Sequence, residues 1–365
     1  MVRENVANSH TALRFPHVRA LDGVRGLAAL AVVMHHALFT QTDGIVFGRA
    51  ASAAHFIYGY FYLGVDLFFV LSGYLITSLL LLARRSPHFY YNFYWKRAFR
   101  ILPVLFLVLA LSRLLFHTPF VYLLPAIFFI ANFTFVWGIP DVGPFWSLAI
   151  EEQFYLIWPT VIHRTKPRHI LRILIATIIA CGLIRFVGNL LHHGRLGVRI
   201  VHVDGLAWGA MLALFAFMAR VPFRQANAAK LWRRFAPVTL GVGGVFLAAA
   251  IAFHYIPDLN FLTTCAAPLF TALLLYLLTH SQAALARLLA SRPLRFLGDI
   301  SYMLYLSHAY VISLYDRLVP GHGTVSTLYL RFGVCLAVSV LWCTLSLYLF
   351  ERPIGRLRRF VLKPK

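Results

Sequence analysis

The sequence has few charged residues, and very few of these are acidic. Charged residues make up 13% of the chain, with 12 Asp and Glu against 34 Lys and Arg, whereas 60% of the residues are hydrophobic. A typical soluble domain is about 25% charged, so this composition excludes that class. Apolar runs recur from residue 24 to residue 350. The sequence therefore predicts an all-α fold, a polytopic transmembrane helical bundle.

Cysteine is also scarce, and its placement excludes two common roles. The four cysteines lie in apolar segments, without CxxC or Cys/His spacing: Cys181, Cys265, Cys335 and Cys343. We interpret them as small buried residues, and we predict neither a disulfide nor a metal site. No bound cofactor is expected.

The scarcity of acidic residues leaves a formal net charge of +22. On a soluble chain this excess would indicate a nucleic-acid partner. Here the cations fall between apolar runs, where the positive-inside rule assigns them to the cytoplasm. The basic segments are residues 1–20, 84–100, 163–172, 220–234, 287–295 and the tail 352–365. This assignment predicts two cytoplasmic termini and a lipid bilayer, not nucleic acid, as partner.

Ten apolar segments are candidates for membrane spans. They cover residues 24–41, 57–82, 101–118, 145–162, 168–190, 200–219, 236–255, 261–280, 300–318 and 325–349. A further apolar stretch, 120–137, is interrupted by Pro119 and Pro125, and the orientation permits only one crossing there. We predict that it is a re-entrant or interfacial helix. The prediction is a single domain over residues 1–365 with ten spans, eleven being the alternative, and no cleavable signal peptide.

The first span contains an arginine and two adjacent histidines. Arg25 and His36 are eleven positions apart, so at ~100° per residue they return to within roughly 20° of one helix face. His35 lies roughly 80° away from that face. The cation and the imidazole are about 16 Å apart along the axis. Because such residues are costly in lipid, Arg25 and His36 are predicted to belong to a functional site, with His35 as a secondary candidate.

Carboxylates occur in two further spans. Under the predicted orientation, Asp66 and Glu151 reach a depth comparable with that of His36. A carboxylate beside an imidazole holds its tautomer, so we predict that Asp66 or Glu151 orients the His36 ring. Asp66 alternatively bonds neighbouring hydroxyls or Arg185. Adjacent glutamates point about 100° apart, so one of Glu151 and Glu152 is expected to face the interior and the other a partner such as Arg185.

A basic cluster follows the second span. Lys96, Arg97 and Arg100 lie within one turn of each other, and guanidinium groups pair well with phosphate. The alternative is an ordinary positive-inside anchor. Later segments contribute Asp204, Tyr305 and His308 as secondary candidates, each with packing or an interface position as the alternative.

As a set, these segments resemble the acyltransferase-3 family of polytopic O-acyltransferases. The resemblance covers Leu21 to Pro353 and rests on LDGVRGLAAL…HHA, GVDLFFVLSGYLIT, WSLAIEEQFYLIWP and SYMLYLSH. The family's Arg-x10-His pattern falls on Arg25 and His36. Its basic motif falls on 96–103 with Lys96 in place of arginine, and His202 stands where arginine is frequent. The resemblance is to the short form without an SGNH-type hydrolase domain.

The resemblance implies an O-acyltransferase in a bacterial cytoplasmic membrane. The donor would be cytoplasmic acyl-CoA, an acetyl or short acyl thioester, with its phosphates on Lys96, Arg97 and Arg100. The acceptor would be a hydroxyl of a carbohydrate, a glycolipid or another glycosylated molecule. His36 would act as general base or form an acyl-imidazole. The alternative is a proton-coupled transporter that uses the same His, Asp and Glu residues, although no inverted repeat is visible.

Overall fold

The chain folds into a bundle of long helices. The computed structural model describes residues 18–40, 42, 45, 47–139, 143–190, 202–218, 225–252, 262–319 and 324–363. Within these ranges every regular element is helical and no strand occurs. The predicted polar N-terminal segment lies outside the described residues except for its last three positions.

Fourteen α-helices follow one another along the described ranges. They are α1 Arg19–Leu38, α2 Arg49–Gly59, α3 Gly64–Ala83, α4 Phe89–Phe116, α5 Phe120–Ile127, α6 Phe145–Arg164, α7 Pro167–Leu190, α8 Asp204–Met218, α9 Gln225–Ala252, α10 Leu262–Thr279, α11 Ala284–Leu289, α12 Arg292–Leu318, α13 Val325–Ser346 and α14 Arg352–Val361. A 3-10 turn at Tyr60–Leu63 joins α2 to α3, and a π turn at Leu347–Glu351 joins α13 to α14.

Five helical segments in the described part of the chain are long and apolar enough to cross a membrane. They are Arg19–Leu38, Arg49–Ala83, Phe89–Phe116, Pro167–Gly188 and Val325–Val361, and two shorter apolar helices lie at Asp204–Met218 and Ala266–Thr279. Helices α6 and α12 are of comparable length but carry charged and polar side chains. The fold is therefore the helical membrane bundle that the composition indicates.

The stretch predicted to be re-entrant or interfacial is broken into two short pieces. Helix α5 has eight residues, about 12 Å of rise, and a 3-10 helix follows at Ala131–Trp137. Neither piece is long enough to cross the hydrocarbon layer by itself.

Glycines set the closest helix contacts of the bundle. Helix α1 packs most extensively on α12, and α3 on α8. A methyl group built on Gly298 of α12 would lie 2.1 Å from the Asp22 carbonyl oxygen of α1, and one on Gly209 of α8 would lie 1.9 Å from that of Val70. Only a residue without Cβ permits such backbone approach, so these glycines fix how α1 meets α12 and how α3 meets α8.

The cysteines agree with their predicted role where they are described. Cys181, Cys335 and Cys343 are buried free thiols. The side chain of Cys265 lies outside the described part of the chain.

Candidate active site

Two histidines from distant parts of the sequence meet at the end of α1. The ring of His36 in α1 packs against that of His308 in α12, with centroids 4.9 Å apart. Nδ1 of His36 lies 3.3 Å from Nε2 of His308 and 2.9 Å from the Val32 carbonyl oxygen. His308 is fully buried, whereas His36 is half-buried.

The carbonyl partners of these rings determine which nitrogens carry protons. A carbonyl can only accept, so Nδ1 of His36 is the protonated nitrogen and its lone pair lies on Nε2. Nδ1 of His308 lies 3.1 and 2.8 Å from the carbonyl oxygens of Leu304 and Tyr305, so it too is protonated. His308 Nε2 therefore accepts from His36. This tautomer places the lone pair of the neutral His36 ring on Nε2, which is the form that a general base requires.

The ring of His35 touches that of His36 edge-on, with centroids 5.2 Å apart, but its hydrogen bond leads to another helix. Its Nδ1 donates to the Tyr58 carbonyl of α2 at 3.1 Å, and its ring stacks on Phe39. Adjacent helical residues are offset by about 100°, so the two imidazoles bond to different helices although their rings touch.

A second cluster of charged side chains gathers around Arg25. Arg25 of α1 interacts electrostatically with Arg97 of α4 and with Glu151 of α6. Arg100 and Glu152 belong to the same group. Arg100 is exposed and the other four are half-buried, so the cluster extends from the surface into the bundle.

Tyr155 anchors this cluster on α6. The Arg97 guanidinium carbon lies 4.1 Å from the centroid of the Tyr155 ring. The Tyr155 hydroxyl bonds to Ser72 of α3, and Ser72 in turn bonds to Glu151. A planar guanidinium over an aromatic ring is a geometry that lysine does not reproduce.

One face of α12 connects the two clusters. Tyr302 interacts with Glu151 and Glu152, Tyr305 bonds to Ser147 of α6 at 2.5 Å, and His308 contacts His36. These three α12 residues are spaced by three positions, which places them along one side of the helix. Polar side chains of α12 therefore follow one another from the arginine cluster to the histidine pair.

The structure corrects the predicted partners of the carboxylates. Asp66 Oδ1 lies 2.6 Å from Nε2 of His202, not against His36, and Asp66 Oδ2 is a buried atom without a hydrogen-bond partner. Glu151 lies among the arginines and not beside the imidazole. The predictions that Asp66 or Glu151 orients the His36 ring are therefore wrong. The Val32 carbonyl and His308 hold that ring instead.

Arg185 interacts electrostatically with Asp66, as one alternative for that carboxylate predicts, but its bidentate partner is a different residue. It forms a buried bidentate pair with Asp204, with Nη1 donating to Oδ2 at 2.8 Å. Both glutamates of the doublet interact with Arg97. Adjacent residues of α6 point about 100° apart, but glutamate side chains are long enough for both carboxylates to reach the arginine cluster.

The basic motif of α4 divides between two environments. Arg97 and Arg100 join the charged cluster, whereas Lys96 is exposed. Lys96 and Arg100 are thus the accessible cations of the motif, and Arg97 lies deeper against Tyr155.

Sequence reasoning missed Tyr155, Ser72 and Arg331. Tyr155 lies four positions after Glu151, so its place on the same face of α6 was available from the helical period. Arg331 is an isolated cation within the apolar segment 325–349, the same signal that identified Arg25.

Comparisons with known proteins agree on one family. A family model described as an acyltransferase domain matches residues 18–349. YrhL of Bacillus subtilis is 28% identical over 94% of this chain and 56% of its own length. The peptidoglycan O-acetyltransferase OatA of Listeria monocytogenes is 27% identical over 82% of this chain and 50% of its own length. The O-acetyltransferase OatA of Staphylococcus aureus is 28% identical over 96% of this chain and 59% of its own length. The chain thus spans little more than half of these relatives. No solved structure matches it.

Proposed function

Because the chain belongs to the acyltransferase-3 family, we propose that it is a membrane-bound O-acyltransferase. It moves an acetyl or short acyl group from cytoplasmic acyl-CoA to a hydroxyl of a carbohydrate or of a glycosylated or lipid-linked acceptor. The observation that carries this proposal is the His36–His308 pair, whose contacts favour the tautomer with the His36 lone pair on Nε2. A proton-coupled transporter is disfavoured by the family membership.

The donor enters beside the basic motif of α4. Lys96 and Arg100 are exposed and receive the phosphates of CoA, for which charged hydrogen bonds are strong. Arg97 and Arg25 lie farther into the bundle, beside Glu151. The pantetheine arm extends between them and α12, so that the thioester approaches His36.

The chemistry at His36 is a balanced acyl transfer. Nε2 takes the proton of the acceptor hydroxyl as its oxygen attacks the thioester carbonyl carbon. The carbon–sulfur bond breaks, and the departing CoA thiolate recovers the proton from the imidazolium. Alternatively, Nε2 attacks first and carries the acyl group before the hydroxyl takes it. Both routes need the lone pair on Nε2, which the Val32 carbonyl and His308 favour.

The proposal also specifies an acceptor class and a membrane topology. All three relatives carry the name O-acetyltransferase, two of them with peptidoglycan as the stated acceptor, so peptidoglycan sugars are the first acceptors to test. The proposal includes a topology of ten crossings with both termini in the cytoplasm. In this topology Arg25 lies near the cytoplasmic face and His36 in the outer half of the bilayer. The donor and the acceptor then approach from opposite sides.

The proposal is tested with the purified chain in nanodiscs. Radiolabelled acetyl-CoA is supplied with a soluble glycan fragment, and label in the glycan is counted. We expect acetyl transfer that depends on the protein. Absence of label both in glycan fragments and in lipid-linked sugar would contradict the proposal.

Substituting the two adjacent histidines separates their roles. We expect His36→Ala to lower transfer at least ~10²-fold, which is the usual contribution of a general base. His35→Gln is the matched comparison and should keep activity within a few fold, since its ring faces α2. Both variants are assayed at equal protein amounts after size-exclusion chromatography. Transfer by His36→Ala at the unmodified rate would remove His36 from the mechanism.

A further inference from the structure

A buried guanidinium lies directly behind the histidine pair. Arg331 of α13 has 0% of its surface exposed and is the largest fully buried side chain of the described residues. Its Nη1 donates to the carbonyl oxygen of Ala37 at 2.6 Å. Ala37 is the residue that follows His36, so this contact is made to the backbone that carries the reactive imidazole.

The same guanidinium is held by α12. Nε and Nη2 of Arg331 donate to the two carboxylate oxygens of Asp316, each at 2.7 Å. Asp316 lies eight positions after His308, about 12 Å along α12. One side chain of α13 therefore ties the end of α1 to the helix that supplies the partner of His36.

The last turn of α1 needs such a donor. The final carbonyls of a helix have no partner within it. In α1 the His35 carbonyl accepts from the backbone of Phe39, and the His36 carbonyl accepts from the Thr40 hydroxyl at 2.6 Å. The Ala37 carbonyl accepts from Arg331, which also places a cation at the negative end of the helix dipole. The surrounding cluster of Ala37, Ile312 and Cys335 is apolar. Because an unpaired charge is costly in such surroundings, the guanidinium is restrained to the position in which it bonds to both partners.

We propose that Arg331 is the positioning residue of His36. Held by Asp316, it fixes the last turn of α1 so that His36 Nδ1 donates to the Val32 carbonyl and His308 and Nε2 keeps the lone pair. Because Arg331 is fully buried, this role is exerted through the backbone of α1 and not on the donor or acceptor. The kinetic part of this inference rests on the proposed function, but the state of the His36 ring does not.

The kinetic test compares Arg331→Met with Arg317→Met. Arg317 lies one position after Asp316, is exposed, and stacks on Phe116, so it controls for loss of an arginine near the end of α12. We expect Arg331→Met to lower kcat by about 10- to 100-fold, as loss of an orienting partner usually does, with KM for acetyl-CoA unchanged. Arg331→Lys, which keeps the charge but cannot bond to Asp316 and to the Ala37 carbonyl in the same way, should be intermediate. Arg317→Met should match the unmodified protein.

Two further measurements distinguish positioning of the His36 ring from a purely structural link between helices. In ¹⁵N-histidine NMR spectra of the nanodisc sample, with the His36 signals assigned by their loss in His36→Gln, the unmodified protein should show Nδ1–H and an unprotonated Nε2. Arg331→Met should show mixed tautomers. The exchanged pair Asp316→Arg with Arg331→Asp restores the ion pair between α12 and α13 but puts a carboxylate beside the Ala37 carbonyl, so it should not restore kcat.

The outcomes decide between the two roles. Restored kcat in the exchanged pair, or an unmodified His36 tautomer and kcat in Arg331→Met, would overturn the proposal. If the unmodified protein transfers no acetyl group, the proposed function fails and the NMR arm alone decides the positioning role. If Arg331→Met does not fold, Arg331→Lys and Asp316→Asn take its place, and an unmodified His36 tautomer in both would overturn the proposal.

Discussion

At the scale of single residues, the buried charged side chains join helices that are distant in the sequence. Arg185 of α7 pairs with Asp204 of α8, His202 pairs with Asp66 of α3, and Arg331 pairs with Asp316. In each pair the partner offsets the free-energy cost of burying a charged or polar group in an apolar interior. These contacts therefore select which helices lie next to each other.

Breaking one of these pairs should cost more than removing a neutral hydrogen bond. We expect Asp204→Ala to destabilise the protein by about 3–5 kcal/mol, because the buried Arg185 guanidinium loses its bidentate carboxylate partner. Thr77→Val is the matched control. It removes the 2.8 Å bond that Trp158 donates to Thr77, a loss of about 1 kcal/mol. Thermal unfolding in detergent measures both, and equal shifts in Tm would contradict the expectation.

Donor binding is also decided by single residues. Arg100→Gln removes an exposed cation of the proposed CoA site, and we expect KM for acetyl-CoA to rise about tenfold, as for loss of one charged hydrogen bond. Arg85→Gln changes an equally exposed cation before α4 and should leave KM unchanged. KM is measured at two salt concentrations. Identical KM values for the two variants would contradict CoA binding by the basic motif and favour its alternative role as a membrane anchor.

At the scale of elements, the pairing of α1 with α12 creates the histidine site. Gly298 lets the α12 backbone approach Asp22 of α1, and the same pairing brings His308, ten residues farther along α12, to His36, fourteen residues farther along α1. Packing and chemistry thus depend on one interface. A change that widens it should affect both stability and activity.

We therefore expect Gly298→Ala to lower both Tm and kcat. A methyl group there would meet the Asp22 carbonyl oxygen at 2.1 Å, and backbone cannot yield as a flexible side chain does. Gly333→Ala in α13 is the control, since nothing lies within 4 Å of the added carbon. Alanine is favoured over glycine in a helix by about 1 kcal/mol, so this control should be neutral or slightly stabilising. Unchanged kcat in Gly298→Ala would show that the interface tolerates separation.

At the scale of the whole molecule, helix length constrains how the chain lies in the bilayer. The segment Arg49–Ala83 has 35 residues, about 52 Å of rise, against a hydrocarbon layer of ≈ 30 Å. Helix α3 alone, with 20 residues, is long enough to cross that layer, so α2 is not needed for the crossing. Residues 84–88, which contain Arg84 and Arg85, lie at the other end.

The proposed orientation assigns these two ends to opposite compartments. We expect a membrane-impermeant maleimide to label Ala53→Cys in intact cells, and to label Pro87→Cys only after permeabilisation, since the basic end faces the cytoplasm. Both positions are exposed, whereas Cys181, Cys335 and Cys343 are buried and give little background. Labelling of Pro87→Cys in intact cells would reverse the orientation.

The sequence by itself determined the class of the fold and several of the residues that matter. Apolar runs of span length require a helical bundle in lipid, because the backbone must satisfy its own hydrogen bonds there. The cost of ionisable groups in lipid identified Arg25, His36, Asp66 and Glu151 as exceptional. The helical period also separated His36 from His35, and their rings do face different helices.

Only the tertiary structure decided which of these groups meet. His36 and His308 are 272 positions apart, and Asp66 and His202 are 136 apart. Such pairings depend on how each helix is rotated and which neighbour it packs against, and the period of a single helix contains no information about either. Glycine contacts and buried ion pairs fix those rotations, so the partner of each exceptional residue appears only once the helices are assembled.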